Sequence, residues 1–455
     1  MAAHAAQSRL AEHPGVRAFL EYPLLDAILS RRSRRFALGS EIPGGPTKYR
    51  SRHAPVPLDE VEEAFLITTG TGLTGMLLGD LPFLDDRGRD SCGNTLIHFR
   101  GLTYASPCGS HDTHLIYWND EGTYLVKHEA APITKVREYE TPDDLEKVLA
   151  NFRSSRVKLF DGRPQYPRHF PVMLPFNQWS SDIPGSTVML PVIDTTFEYI
   201  NVLLLMCGWP DGGFYFVDDL NGGRPCGNER WVKEGLLKEM LRTPISVLGN
   251  VNILEAGFVM QNISLTTQAM GLGGWVHASA APLVLLGGTP MAKGLGFRFI
   301  TPKRALSGPS CVGLDGLIEA YCPPYYPNMD AAVDAVVAAK FGKQGIYTED
   351  SDQPLPLRSP NEFIAAVPKH DERVVQCVKD MCNYIYDTFG RFPPTVDAVT
   401  TPGAWVQAHH LDTEFYDRFY QEGAYTETQA RHMELWHGPE AQNWAERALA
   451  AVGSA

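Results

Sequence analysis

The stretch VNILEAGFVMQNISLTTQAMGLGGW, residues 251–275, constrains the fold more than any other part of the chain. Leu254, Phe258, Gln261, Leu265 and Gln268 recur at helical spacing, while Ala256 and Gly257 permit close packing. The GLGG that follows ends the helix and turns the chain. The elements around it set the class. Residues 9–30 read as helical, interrupted near HPG and YPL, and LDEVEEAFLITTGTGL is a second helix with Val61, Phe65 and Leu66 on one side and acidic residues opposite. Between Asn94 and Lys127, strands flank a turn-rich ASPCGS and a hairpin signal NDEG. Further strands are expected at 186–194 and in the short apolar APLVLLGG. Residues 208–231, dense in Gly, Pro and Asp, read as an inserted lid or binding loop carrying Trp209, Phe214, Tyr215, Phe216 and Arg224. Beyond a Pro-rich TEDSDQPLPLRSP the chain returns to helices. This order predicts an α+β layered domain over residues 1–345 and a linker with a helical C-terminal extension over 346–455.

With 455 residues, 44% of them hydrophobic, the chain can bury a large core; its formal charge of −13 argues against general affinity for nucleic acid or anionic membranes. The N-terminus shows no basic start followed by an apolar segment, and the longest apolar region is broken by Asp194 and Glu198. A soluble, cytoplasmic protein is therefore expected. Eight cysteines without a CxxC pair or zinc spacing fit isolated thiols in a reducing compartment.

Against that acidity stands RRSRR, residues 31–35. Guanidinium forks and a hydroxyl so close together suit a phosphate monoester. A solvated or charge-paired basic patch is an equally open reading, whereas a nucleic-acid patch sits poorly with the overall charge.

LSRRSRRF, followed much later by AGFVMQNISLTTQAMGLGGWVHAS, resembles the FMN-dependent nitroreductase superfamily, in which an N-terminal RRSxR motif meets the flavin and a long helix builds the dimer core. Between them, GLTYASPCGSHDTHLIYW is similar to the flavin-contacting loop and strand of the azoline-oxidising dehydrogenase branch. The resemblance covers residues 20–300 discontinuously. It implies a central, mostly antiparallel sheet flanked by helices in an interlocked homodimer with FMN at the subunit interface. Arg31 and Ser33 are then expected on the FMN phosphate, Arg32 alongside, and Arg35 at the pyrimidine edge of the ring, where a fixed cation stabilises the reduced anion. Ser106, Pro107, Cys108, Gly109 and Ser110 are expected against the other edge or the ribityl chain, although an ordinary tight turn accounts for them too. Gly274, Trp275, Val276 and His277 match the position at N5 and the C4 carbonyl; for His277 a structural role is as open as an acid's. A late basic residue usually completes the phosphate site, and Arg298 is favoured over Lys293, Lys303 and Arg304.

The activity so implied is ping-pong hydride transfer through FMN from NADH or NADPH to a nitroaromatic, a quinone or a similar small molecule, with no catalytic side chain required. Two alternatives remain open: a flavin-dependent dehydrogenase or oxidase acting on a peptide or natural-product intermediate with oxygen as acceptor, and a non-catalytic flavin-binding or assembly protein using the helical tail. No metal is expected. His111 and His114 fall on opposite faces of a strand; His409, His410, Asp412, His432 and His437 could converge, but HHLD reads as a helix start capped by Asp412, and the last two histidines as ordinary helix-face residues.

Overall fold

The computed structural model describes residues 9–250, 252–302 and 308–452. Its centre is a seven-stranded antiparallel sheet. Its strands are β1 (Thr113–Trp118), β2 (Gly122–Val126), β3 (Arg156–Asp161), β4 (Thr187–Asp194), β5 (Gly273–His277), β6 (Val399–Thr400) and β7 (Trp405–His409). The spatial order is β5-β7-β4-β1-β2-β3, with β6 also on β4. The helices used below are α1 (Leu24–Ser30), α2 (Glu60–Thr71), α3 (Thr196–Cys207), α4 (Ile253–Met270), α5 (Met329–Phe341), α6 (Glu372–Phe389) and α7 (His432–His437).

Alternation along the strands divides the core between the two faces of the sheet. Leu115 and Tyr117 of β1 and Met189 of β4 join one cluster with Phe65 and Leu66 of α2 and Val259 and Ile263 of α4. Ile116 and Trp118 of β1, with Val188, Leu190 and Val192 of β4, face the opposite way, onto Leu203 of α3, Val333 of α5 and Val378 of α6. Every residue of β4 is buried, which explains why 187–194 reads as an unbroken apolar run.

Several expectations need correction. The C-terminal region is largely helical, yet it is not an appendage: β7 lies between β5 and β4, and Trp436 is buried against Gly15. Residues 208–231 are not an irregular lid. Gly213–Asp218 is the middle strand of a three-stranded sheet with Arg224–Pro225 and Leu237–Pro244, and Phe216, Cys226 and Trp231 sit in the core. APLVLLGG forms a short helix, Pro282–Leu286, because Pro282 takes its first turn and Gly287, at φ 101°, ends it. Finally, the acidic side of α2 is not solvated, since Glu62 and Glu63 are both buried.

Candidate functional site

The arginine stretch begins where α1 stops. Arg31 leaves the helix in an extended conformation, and residues 34–38 then run beside β5 and the segment after β7, with Arg34 N–H donating to Gly274 O at 3.0 Å and Leu38 N–H to His410 O at 3.0 Å. Alternation sorts the side chains. Arg34 and Phe36 turn inward: Arg34 Nε donates to Ala424 O at 2.6 Å and Nη1 to Gln268 Oε1 at 3.3 Å, while Phe36 stacks on Phe415 with centroids 4.1 Å apart. Arg32 and Ser33 stay exposed, and Arg31 and Arg35 are half-buried.

A shallow cleft opens there, walled by Arg31, Arg32 and Ser33 on one side and by Thr267, Gln268 and Gly274–Val276 on the other. Among the described residues, no carboxylate pairs with Arg31, Arg32 or Arg35. Arg32 bonds only to the carbonyls of Leu29 and Arg31. The charge-paired reading of the cluster finds no partner among the described residues, and the solvated-patch reading stays open. Gln268, buried in the cleft wall, leaves its amide Nε2 without a partner. Because Gly274 gives its carbonyl outward to Arg34, the alternation of an antiparallel edge also turns the Val276 N–H away from β7, toward the cleft.

Arg35 lies between two indoles, its guanidinium carbon 5.0 Å from the Trp275 ring centroid and 5.3 Å from that of Trp179. His277 stacks on Trp275 at 3.9 Å, and its Nδ1 meets Ser279 Oγ at 2.7 Å. Burial, helped by the Arg35 charge, pushes the imidazole down to about 3, so His277 is neutral at physiological pH.

The structure does not bring the 106–110 loop to this cleft within one chain. Ser106 Oγ accepts from the Ser110 and His111 N–H groups, and Ser110 Oγ accepts from Asn252 Nδ2. The loop therefore packs at the start of α4, whereas the cleft lies at its end, roughly 20 Å away along the axis from Glu255 to Gln268. Buried acids surround it: Thr113 Oγ1 donates to Glu255 at 2.9 Å, and burial raises Asp112 well above the carboxylate range and Glu198 to about 7. Burial, with Glu198 alongside, holds Cys108 as a thiol at about 12. Residues 106–110 carry no cation for a phosphate and suit an uncharged part of a ligand.

Arg298 is also misplaced as a phosphate ligand. It stands on a separate three-stranded sheet with its guanidinium paired to the Asp315 carboxylate and over the Tyr325 ring. Of the other late cations, Lys303 and Arg304 lie outside the described residues.

The tail histidines depart furthest from expectation. His409 ends β7, and Asp412 holds the N-cap position of the following helix without capping it. His410, His432 and His437, however, converge with Glu62 of α2. The three histidines were visible in the sequence, but Glu62 was hidden in DEVEE, where an acidic run reads as a solvated face. Trp179 was also missed, since it belongs to no recognisable motif, and Thr267 was passed over inside AGFVMQNISLTTQAMGLGGWVHAS, where nothing in the spacing marks it.

No protein-family model matches this chain, and no curated protein matches it either. Among the described residues, no helix is long and apolar enough to cross a membrane.

Proposed function

We propose that the chain is an FMN-dependent oxidoreductase of the nitroreductase type, acting as a homodimer and using NADH or NADPH to reduce a small organic acceptor such as a nitroaromatic or quinone. The observation that carries this reading is the pair of guanidiniums, Arg31 and Arg32, left without carboxylates over a cleft whose other wall offers the unpartnered Gln268 amide and an outward backbone N–H at Val276. That donor set fits a phosphate at one end and a polar ring edge at the other.

When bound, FMN supplies reversible two-electron hydride transfer. The chain's own contribution is to hold and tune. Arg31 and Ser33 grip the phosphate, with Arg32 alongside. Arg35, fixed between Trp179 and Trp275, presents a cation that stabilises negative charge gained by the ring. Glycine is required at 274 because a Cβ would meet Gln407 O at 2.7 Å and Thr267 Cγ2 at 2.9 Å, and Val276 N–H is a donor for the ring's inner edge.

The cleft in one chain encloses little more than a water-sized space, far below the usual range for small-molecule sites. A second copy supplies the remainder. Leu20, Leu24, Leu25, Ile28 and Leu29 are each 49–67% exposed, on helices that pack against α4, where Leu254 and Phe258 are exposed as well. A Cβ on Gly257 would meet nothing within 4 Å, so a partner helix can lie close there. Two α4 helices packed antiparallel bring the 106–110 loop of one protomer toward the arginine cleft of the other.

The visible absorbance of freshly purified protein tests the proposal. A flavin spectrum that bleaches anaerobically with NADH or NADPH is expected. Colourless protein that also leaves the fluorescence of added FMN unchanged overturns it. Flavin that bleaches only with an organic substrate moves the reading to the dehydrogenase branch.

A further inference from the structure

Three imidazoles and one carboxylate from three distant segments point at one another inside the fold. Glu62 lies in the first turn of α2, His410 follows β7, and His432 and His437 begin and end α7. Glu62 Oε1 is 2.8 Å from His432 Nε2, 3.0 Å from His410 Nε2 and 3.2 Å from His437 Nε2, and the last two nitrogens are 3.1 Å apart. The side chains of Glu62 and His410 are fully buried, that of His432 nearly so, and that of His437 about three-quarters.

The surroundings fix which atoms can donate. His410 Nδ1 is 2.9 Å from Val56 O and His432 Nδ1 is 2.8 Å from Met270 O. A carbonyl only accepts, so both Nδ1 atoms carry the hydrogen, and in the neutral rings both Nε2 atoms face inward as bare lone pairs. The other Glu62 oxygen is already used, accepting the Asp59 N–H at 2.7 Å in the capping box of α2. Lone pairs therefore face lone pairs in a largely buried pocket, an arrangement that a central cation resolves. Backbone carbonyls on the outer nitrogens are also the partners that commonly orient metal-bound histidines.

We propose that Glu62, His410, His432 and His437 form a closed, four-coordinate site for a divalent first-row metal, with Zn2+ as its occupant. Imidazole and carboxylate ligands bind such an ion at about 2.0–2.2 Å, which makes the edges of a tetrahedron about 3.3–3.5 Å. Four of the six donor separations are 2.8–3.2 Å, and all six are within 4.8 Å. Four protein ligands leave no open position, so the site is structural. Its place in the fold gives it a task. His410 and His432 bracket the segment whose Ala424 carbonyl accepts from Arg34, so the ion clamps both ends of the chain that anchors the arginine stretch. This inference stands on its own residues and holds whether or not the cleft takes FMN.

Elemental analysis of the untagged protein is expected to find about one zinc per chain. Stripping with a chelator should lower the melting temperature, and added Zn2+ should restore it. Co2+ added to stripped protein should give the intense visible bands of tetrahedral coordination. His437→Gln, at the least buried ligand, should keep the fold and weaken Zn2+ by at least about tenfold. The proposal is overturned if stripped wild-type protein, given either Zn2+ or Co2+ in excess, shows no bound metal and no rise in melting temperature; the cluster is then a buried ion-pair network. Equal Zn2+ affinity in wild type and His437→Gln overturns it as well.

Discussion

Replacing Arg31 and Ser33 together by alanine separates phosphate binding from folding. Arg31 is half-buried and Ser33 exposed; neither is held by an ion pair, so the double variant should stay within about 0.5 kcal/mol of wild type in unfolding free energy. If both groups bond the FMN phosphate, each charge-assisted hydrogen bond is worth about 1.5–3 kcal/mol, and losing two costs about 3–6 kcal/mol. That corresponds to roughly 10²- to 10⁴-fold in Kd. Titrating apo-protein while following flavin fluorescence measures it, with denaturant unfolding as the stability control. Riboflavin, which lacks the phosphate, supplies the internal comparison: its affinity should be unchanged, and the variant should no longer prefer FMN. Arg34→Ala should behave in the opposite manner, lowering stability through loss of its bonds to Ala424 and Gln268. An FMN affinity unchanged in the double variant, or a riboflavin affinity that falls equally, refutes the assignment.

Arg35→Ala should leave the flavin bound but lower its midpoint potential in a spectroelectrochemical titration, and an unchanged potential removes the ring-edge role. Leu25→Glu with Leu254→Glu should convert the dimer to monomers in light scattering and release flavin; a wild-type monomer at micromolar concentration contradicts the two-subunit site. Glu63→Gln tests a buried acid whose Oε1 accepts from Asn119 and Thr187 and which burial raises from 4.5 to about 7. The folded state holds this proton more tightly than the unfolded state, so its stability contribution is full below about pH 4.5 and is lost as pH rises through 7. Glutamine keeps an accepting oxygen without the charge. The variant should match wild type near pH 4 and exceed it by up to about 3 kcal/mol at pH 8.5, measured by denaturant unfolding. An equal difference at both pH values refutes the burial argument.

The legible parts of the sequence were those where one local pattern served one environment. Helix α4 was readable from its spacing and its terminal glycines, and β1 and β4 from their β-branched and aromatic runs. Gly213–Asp218 was hidden because its apolar alternation is short and embedded in glycines, while its partner Leu237–Pro244 lies beyond an intervening helical turn. APLVLLGG illustrates the ambiguity of brief apolar runs, which Pro282 resolves toward helix. For the site, RRSRR identified the cleft's cationic wall, and alternation then explained why Arg34 alone is structural. The partners of that wall could not be read locally: Ala424 lies 390 residues from Arg34. Glu62 is the sharpest case, since only the return of the tail turns an apparently solvated acid into the centre of a buried cluster.

The position of β7 has a consequence for synthesis. Strand β5 reaches the sheet only through β7, and residues 278–404 separate the two. At 5–20 residues per second a ribosome needs roughly 6 to 25 s to cover that interval, during which β5 has no ladder partner and the edge of β4 is open. The nascent chain therefore passes through an unfinished stage in which β5 is positioned through α4 and the Arg34 bridge, without its place in the sheet. A chaperone that shields the exposed β4 edge would act in that window.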